Sequence, residues 1–554
     1  MKSVDPITLA LVRNRLMAGA EQMAITLWKS SFSTVIREVL DYSTAIFDAK
    51  GRMVAQSSQI PFQMMTMSAP MRHLIQSGYD WQPGDVVLLN DPYVAEGQHL
   101  PDYTVFRPAF ADGDLIGFAG AIGHMLDTGG GAAGGYVASA TEIFHEGLRI
   151  PPTKIVRAGK INEELMQLIE LNVREPEKLR GDLAAMWACT SRGEMTLLAL
   201  AEQYGTATTR VVMDEILAST DRQVRHRLKL IPEGTYTGVD YVDDDGITDD
   251  PLRIETTITR REDSLDVDFS GTSPQATGPV NATMEMTRST AMYVAMATIG
   301  DGIPKNDGWR HAIQVQAPDR SLVNAGPPAP VASRITTCHR TVDAMMQALA
   351  QAIPHRVTAG YYGASNICNI GGYDPNSGRA WVHFEIEVGG WGARPTSDGL
   401  DAYSAHIHNL ATTPIEVVEA NPRLRVEHYS LLPDTGGQGK FRGGLGLRRD
   451  IRVLVDGARL NLLGDHYKFA PLGMLGGKPG VSGCYILNPG TNHERRLANK
   501  LSNMPLSRGD VISMQTSGGG GYGNPKERNP ALVARDIREG KTSHRNPAKS
   551  DDRP

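Results

Sequence analysis

From Pro6 to about Ser31 the apolar residues recur at helical spacing. Ile7, Leu11, Leu16, Met23, Ile25 and Leu27 interleave with Arg13, Arg15, Glu21 and Lys29. Asp5 stands at the N-cap and Pro6 in the first turn, the positions that start a helix. The pattern then switches. Ser43 to Ala55 predicts a β-hairpin: Ala45-Ile46-Phe47, a turn at Asp48-Ala49-Lys50-Gly51, then Met53-Val54-Ala55. Asp85 to Leu89 predicts a short buried strand between Gly84 and Asn90-Asp91-Pro92. Tyr103 to Phe110 and Leu115 to Ile122 predict two more strands, turned at Asp112-Gly113-Asp114. Helical spacing returns at Glu163 to Leu171, Gly181 to Gln203 and Thr208 to Ile231, the last ended by Pro232-Glu233-Gly234. Thr235 to Phe269 is strand-rich, with an acidic turn at Asp243-Asp244-Asp245-Gly246. Pro327-Pro328-Ala329-Pro330 reads as a loop or linker, and Thr341 to Ala352 as a helix. After about residue 370 the chain is glycine-rich and strand-turn in character, as in all-β architectures. One short helix, Ala531 to Glu539, precedes a polar tail from Gly540 that is expected to be mobile.

These elements predict a mixed α+β, multidomain chain. An N-terminal α/β domain spans residues 1–230, and a strand-rich middle domain spans 231–340. A glycine-rich mixed C-terminal domain covers 341–525, and 526–554 forms the short helix and tail. The length of 554 residues exceeds one compact core, and 41% hydrophobic residues suffice to build several. No internal repeat of domain-building period is present.

Charge and cysteine usage narrow the function. A net charge of −6 with no long like-charge block gives no nucleic-acid footprint. The four cysteines (Cys189, Cys338, Cys368, Cys484) have no CxxC spacing, which argues against a disulfide framework or a thiolate zinc site. The amino terminus has no apolar signal core, and no apolar run is long enough to span a membrane. The expected location is the cytoplasm.

The chemistry concentrates in two phrases, Gly97-Gln98-His99-Leu100-Pro101-Asp102 and Gly123-His124-Met125-Leu126-Asp127. Each His is followed three residues later by an Asp. Imidazole nitrogen with carboxylate oxygen suits a divalent cation such as zinc, manganese or iron. A metal-bound water would have its pKa lowered toward neutrality, and the same cation would polarise a carbonyl or steady an enolate. Against this stands the plain reading of two surface loops. The predicted strands also put His99 and Asp102 before one strand and His124 after its neighbour. That reading places the two ends at opposite edges of a hairpin unless the loops fold back. Glu38 and Asp41 fall on one face if their segment is helical, as a solvated face or cap, or with Asp41 as a carboxylate ligand or general base.

Other motifs carry less. Asn90-Asp91-Pro92-Tyr93 is a turn after a strand. Gly518-Gly519-Gly520-Gly521-Tyr522-Gly523 lacks the Gly-Lys-Ser/Thr ending of a phosphate loop and opens no helix. Gly129-Gly130-Gly131 lacks the Lys as well, and suits a close approach of backbone to a site. Cys338-His339, if on a strand, would point to opposite faces and form no nucleophile pair.

Taken in order, the phrases resemble the hydantoinase B/5-oxoprolinase family over roughly Asp5 to Gly540. The resemblance rests on Glu38-Val39-Leu40-Asp41-Tyr42-Ser43, Pro83-Gly84-Asp85-Val86, Asn90-Asp91-Pro92-Tyr93 and His99-Leu100-Pro101-Asp102-Tyr103-Thr104-Val105. It continues through His124 to Gly130, Glu146-Gly147-Leu148-Arg149-Ile150-Pro151-Pro152, Asn172-Val173-Arg174 and Gly181-Asp182-Leu183. Phe269-Ser270-Gly271-Thr272, Thr413-Pro414-Ile415-Glu416, Gly439-Lys440-Phe441-Arg442-Gly443-Gly444 and the Gly518 to Asn524 run complete it. The resemblance implies a metal site of His99, Asp102 and His124, with Asp41 as fourth carboxylate. Glu38 and Asp127 stand behind these ligands. Two departures are visible. Glu96-Gly97-Gln98 replaces a frequent Gly-Gly-Thr, and Met125 replaces the second imidazole of a frequent His-His-x-Asp.

The implied activity is ATP-dependent opening of a cyclic amide such as a hydantoin, a lactam or 5-oxoproline. ATP and magnesium would sit on a separate A-type subunit that activates the amide, in an A2B2-like hetero-oligomer. Zinc is the expected metal, with manganese and iron as alternatives. A ketone carboxylase subunit, with the metal stabilising an enolate, is the second reading, and a non-catalytic scaffold with a structural metal the third.

Overall fold

The computed structural model describes residues 5–543, apart from 376, 405 and the side chain of Met64. The expected tail lies outside the described residues from 544 onward. The first helix runs Pro6–Ser30, capped by Asp5, whose carboxylate accepts the Thr8 backbone N–H at 2.9 Å.

A seven-stranded antiparallel sheet follows. Its strands are β1 (Tyr42–Asp48), β2 (Met53–Gln56), β3 (Val86–Leu89), β4 (Asp102–Ala111), β5 (Asp114–His124), β6 (Thr153–Arg157) and β7 (Lys160–Ile161). In space they run β2-β1-β5-β4-β3-β6-β7. Both faces are buried, which explains the near-continuous apolar runs. Tyr42, Ile46, Tyr103, Val105, Ala119 and Ala121 face a core shared with the first helix and the helix Pro176–Tyr204. Ala45, Phe47, Phe106, Phe118 and Ile122 face a second core with Met65, Met67, Met71 and Leu74. The helix lies close on the sheet because Gly193 has no side chain. A Cβ there would collide with Ala119 and Met23.

The middle region is a four-stranded sheet of Gly234–Val242, Leu252–Arg260, Leu265–Asp268 and Ile313–Gln316. The helix Arg334–Ala350 packs on it and on the helix Met284–Ile299. The glycine-rich region forms two further antiparallel sheets whose inner residues make one core: Ile370, Leu460 and Leu462 from one sheet meet Ile451, Ile512 and Met514 from the other. The Gly518–Gly521 run is buried among backbone. Gly519 N–H donates to the Gly444 carbonyl and Gly520 N–H to that of Gly360. A Cβ on Gly520 would collide with the Leu472 carbonyl oxygen.

Three local expectations change. The helix expected from Thr341 begins at Arg334, so Cys338 and His339 are helical neighbours and not strand neighbours. Glu38 and Asp41 share no helical face. The short helix Thr34–Arg37 ends at Glu38, and Leu40 takes a left-handed φ of 64° that turns the chain into β1. The β4–β5 hairpin carries Asp102 and His124 at the same end, as direct cross-strand partners. The start of one antiparallel strand and the end of the next always lie side by side, so no folding back is needed.

Candidate metal centre

The sheet order gathers the site. β1 and β4 both run antiparallel to β5, which lies between them, so the starts of β1 and β4 flank the end of β5. That edge carries Asp41 just before β1, His124 at the end of β5 and Asp102 at the start of β4. The His124 backbone N–H donates to the Asp41 carbonyl at 3.0 Å. His99 arrives from the loop after β3. Asn90 holds that loop by donating to the carbonyls of Leu100 and Leu148 and accepting from Ile150 N–H. Asp91 makes the expected turn, accepting from the N–H groups of Tyr93 and Val94, and pairs with Arg149 at 2.6 Å. Glu96, at one of the departing positions, has φ 54°, the left-handed region that favours glycine.

His99, Asp102 and His124 offer ligand atoms within 4.8 Å of one another, and all three side chains are buried. They are the one such group of His, Cys, Asp or Glu among the described residues. His99 Nδ1–H donates to the Ala332 carbonyl at 3.1 Å, which turns Nε2 inward. His124 Nε2 bonds the Tyr136 hydroxyl at 2.9 Å. Arg334 Nη2 donates to Asp102 Oδ2 at 2.5 Å and to Gln98 Oε1 at 3.3 Å. His99 Nε2, Asp102 Oδ1 and His124 Nδ1 are buried without a hydrogen-bond partner. Buried polar atoms are normally satisfied. Three orphans, one from each of three converging side chains, fit the donor set of a divalent cation.

The electrostatics agree. Burial, with the Arg334 charge adding, pushes His99 down to about 4. Burial pushes His124 down to about 3. Both imidazoles therefore keep their lone pairs at neutral pH. Burial opposes ionisation of Asp102, but His99 and the Arg334 guanidinium hold its carboxyl below the usual range. Burial and the adjacent Asp102 charge push Asp41 up to about 8. Two carboxylates meeting in a dry interior favour a cation between them. Asp41 nonetheless stands outside the converging trio, and its Oδ1 accepts from Gln63 Nε2 at 2.8 Å.

Asp127 points elsewhere. Its oxygens accept from the backbone N–H of Gly129, Gly134 and Arg174 and from the Arg174 guanidinium. It ties down the glycine loop that delivers Tyr136. Glu38 is half-buried at the end of the Thr34–Arg37 helix. Met125 is buried in the core beside Met186, on the side away from the trio. Sequence reasoning missed Arg334 and Tyr136. The signal for Arg334 was a lone cation among Val331, Ala332 and Ile335. Tyr136 stacks on His124 with centroids 5.7 Å apart, and Phe384 covers both rings from the glycine-rich region.

Residues 5–525 match the sequence profile described as Hydantoinase B/oxoprolinase. The chain is 32% identical over 98% of its length to the B-type component of the putative D-/L-hydantoinase of Pseudomonas sp. (strain NS671), covering 93% of that protein. It is 32% identical to the beta chain of the caprolactamase of Pseudomonas jessenii, covering 98% of this chain and 95% of that one. The crystal structure of the ATP-dependent caprolactamase from Pseudomonas jessenii superposes with a TM-score of 0.90 at 31% identity, over 98% of this chain and 95% of that one. A nucleotide-free acetone carboxylase structure shares the fold with a TM-score of 0.90 at 20% identity, over 98% of this chain and 78% of that one.

Proposed function

The chain belongs to the hydantoinase B/oxoprolinase family, and from that premise we propose that it is the B-type subunit of an ATP-dependent enzyme that opens a cyclic amide: a hydantoin, a lactam or 5-oxoproline. The observation that carries this reading is the trio of unpartnered donors on His99, Asp102 and His124. A divalent cation held by them supplies Lewis acidity and lowers the pKa of a coordinated water toward neutrality. Zinc suits this donor set, as do manganese and iron.

The chain's own residues prepare that site. The Ala332 carbonyl fixes the His99 tautomer, and the Tyr136 hydroxyl anchors the His124 ring at Nε2. Arg334 holds Asp102 Oδ2, which also lies 3.2 Å from His99 Nε2, while Asp102 Oδ1 has no hydrogen-bond partner. Asp41 brings a second carboxylate to the same sheet edge, held by Gln63, as a further ligand or proton acceptor. Phe384 and the Tyr136 ring line the interior and keep bulk water out.

ATP chemistry belongs to an A-type partner in this reading. Two relatives carry B or beta in their names as one component of a larger enzyme, and one is titled ATP-dependent. The Gly518–Gly521 run, filled by neighbouring backbone, has no room to cradle phosphates. Ketone carboxylation is the second reading, favoured by the shared fold of acetone carboxylase. The chain spans 78% of that longer chain but 95% of the caprolactamase chain, which favours ring opening.

The test is co-expression with an A-type subunit, and assay of a hydantoin, a lactam, 5-oxoproline and acetone side by side with ATP. Ring opening that requires ATP is expected. Bicarbonate incorporation into a β-keto acid from acetone, with no cyclic amide opened, would replace this reading by the carboxylase one.

A further inference from the structure

The first helix, Pro6–Ser30, is apolar on two sides. Val12, Leu16, Met23 and Leu27 face the core and are fully buried. At 3.6 residues per turn, Ile7, Leu11, Ala18 and Ile25 fall within about 20° of a single line on the opposite side. Ile7, Leu11 and Ile25 are 71%, 54% and 55% exposed, and Ala18 is exposed between them. A surface helix normally carries polar residues on that line. Here positions 11, 18 and 25 repeat every seven residues, the spacing of a helix–helix seam.

We infer that this face joins two copies of the chain, with their first helices antiparallel about Ala18. The pattern is symmetric about that residue. The smallest side chain sits at the centre, where two helices must approach closely, with Leu11 and Ile25 seven residues to either side. An antiparallel two-fold sets Leu11 of one protomer against the partner's Ile25, twice over. The flanking polar residues match as well. Asn14 meets the partner's Glu21, and Arg15 meets the partner's Gln22, so each pair offers a donor to an acceptor. Lys29 lies over the partner's Ile7 and covers it with its aliphatic stem. Parallel pairing would instead set Leu11 against the partner's Leu11 and Ile25 against the partner's Ile25. The helix is firmly seated for this role, since Gly19 and Gly193 let it lie against the Pro176–Tyr204 helix with no intervening side chain.

Neither the metal nor the substrate enters this contact. Sedimentation of the full chain alone, at micromolar concentration, is expected to give twice the chain mass. The double substitution Leu11→Glu with Ile25→Glu places charge at two exposed positions. It is expected to weaken self-association about a hundredfold or more, leaving the circular dichroism and melting of the protomer unchanged. In a second measurement, a Leu11→Cys chain is mixed with an Ile25→Cys chain and treated with a short bismaleimide. Cross-linking is expected between the two chains, with Leu11→Cys alone giving none above the unsubstituted control. A monomeric unsubstituted chain, a dimer that survives the double substitution, or Leu11→Cys cross-linking to itself would each overturn the inference. The first outcome would leave the face to the A-type subunit.

Discussion

Arg334 Nη2 lies 2.5 Å from Asp102 Oδ2, joining residues 232 positions apart, with both side chains almost wholly buried. The same oxygen lies 3.2 Å from His99 Nε2, so the guanidinium fixes the Asp102 carboxylate beside that imidazole. Neither the loop before β4 nor the helix that starts at Arg334 could fix it alone.

Arg334→Gln removes that clamp while keeping a hydrogen-bonding side chain. Groups that orient a ligand are typically worth 10–100-fold in metal affinity, so a loss of about that size is expected. Competition titration against a chromogenic chelator measures it. Unchanged affinity would show that Asp102 is held by other means.

Tyr136→Phe deletes the hydroxyl at His124 Nε2 and keeps the ring between His99, His124 and Phe384. Folding should therefore be retained while metal affinity falls about tenfold. Melting without metal, compared with and without the substitution, separates the two effects. A large loss of stability in the metal-free protein would assign the hydroxyl to packing and not to His124.

Asp127→Asn is expected to behave differently. Its carboxylate secures Gly129, Gly134 and Arg174. Weakening those bonds should cost about 1–3 kcal/mol in urea unfolding, with metal bound at full stoichiometry in the folded fraction. Loss of metal from a fully stable variant would make Asp127 part of the centre.

The fold was legible where local chemistry decides it. The Asp5 cap, the β4–β5 turn and the helix Glu163–Leu171 follow from neighbouring residues. The start of the Arg334 helix was not legible, because burial against other elements, and not its own pattern, sets it: nearly every residue from Arg334 to Leu349 is buried, so no amphipathic stripe marks its beginning. At the site, the three converging side chains stood in two short phrases. Tyr136 and Arg334 were invisible because their roles depend on contacts made only once the glycine loop and a distant helix close over the sheet edge. The glycine-rich region showed its strands but not its reason. Glycines such as Gly520 are there for backbone to touch backbone.

Glu146 predicts a pH dependence. Its Oε1 accepts the Ala332 backbone N–H at 2.7 Å, so it steadies the segment whose carbonyl holds His99. Burial pushes its carboxyl up to about 8 from an ordinary value of 4.5. The folded state therefore binds a proton that the unfolded chain releases. That stability is fully present below about pH 4.5 and is lost as pH rises through about 8. Glu146→Gln, which copies the protonated form, should flatten this part of the melting profile between pH 5 and 8. A profile identical to the unsubstituted chain would contradict the assignment.

The central claim is that His99, Asp102 and His124 hold one divalent cation. The most direct measurement is metal content per chain by elemental analysis, after dialysis against excess zinc, manganese or iron, for the unsubstituted protein and for His99→Ala and His124→Ala. About one equivalent is predicted in the unsubstituted chain, as expected for a single three-residue site, and essentially none in either variant. A full equivalent retained in both variants, or no metal in the folded unsubstituted chain, would contradict it.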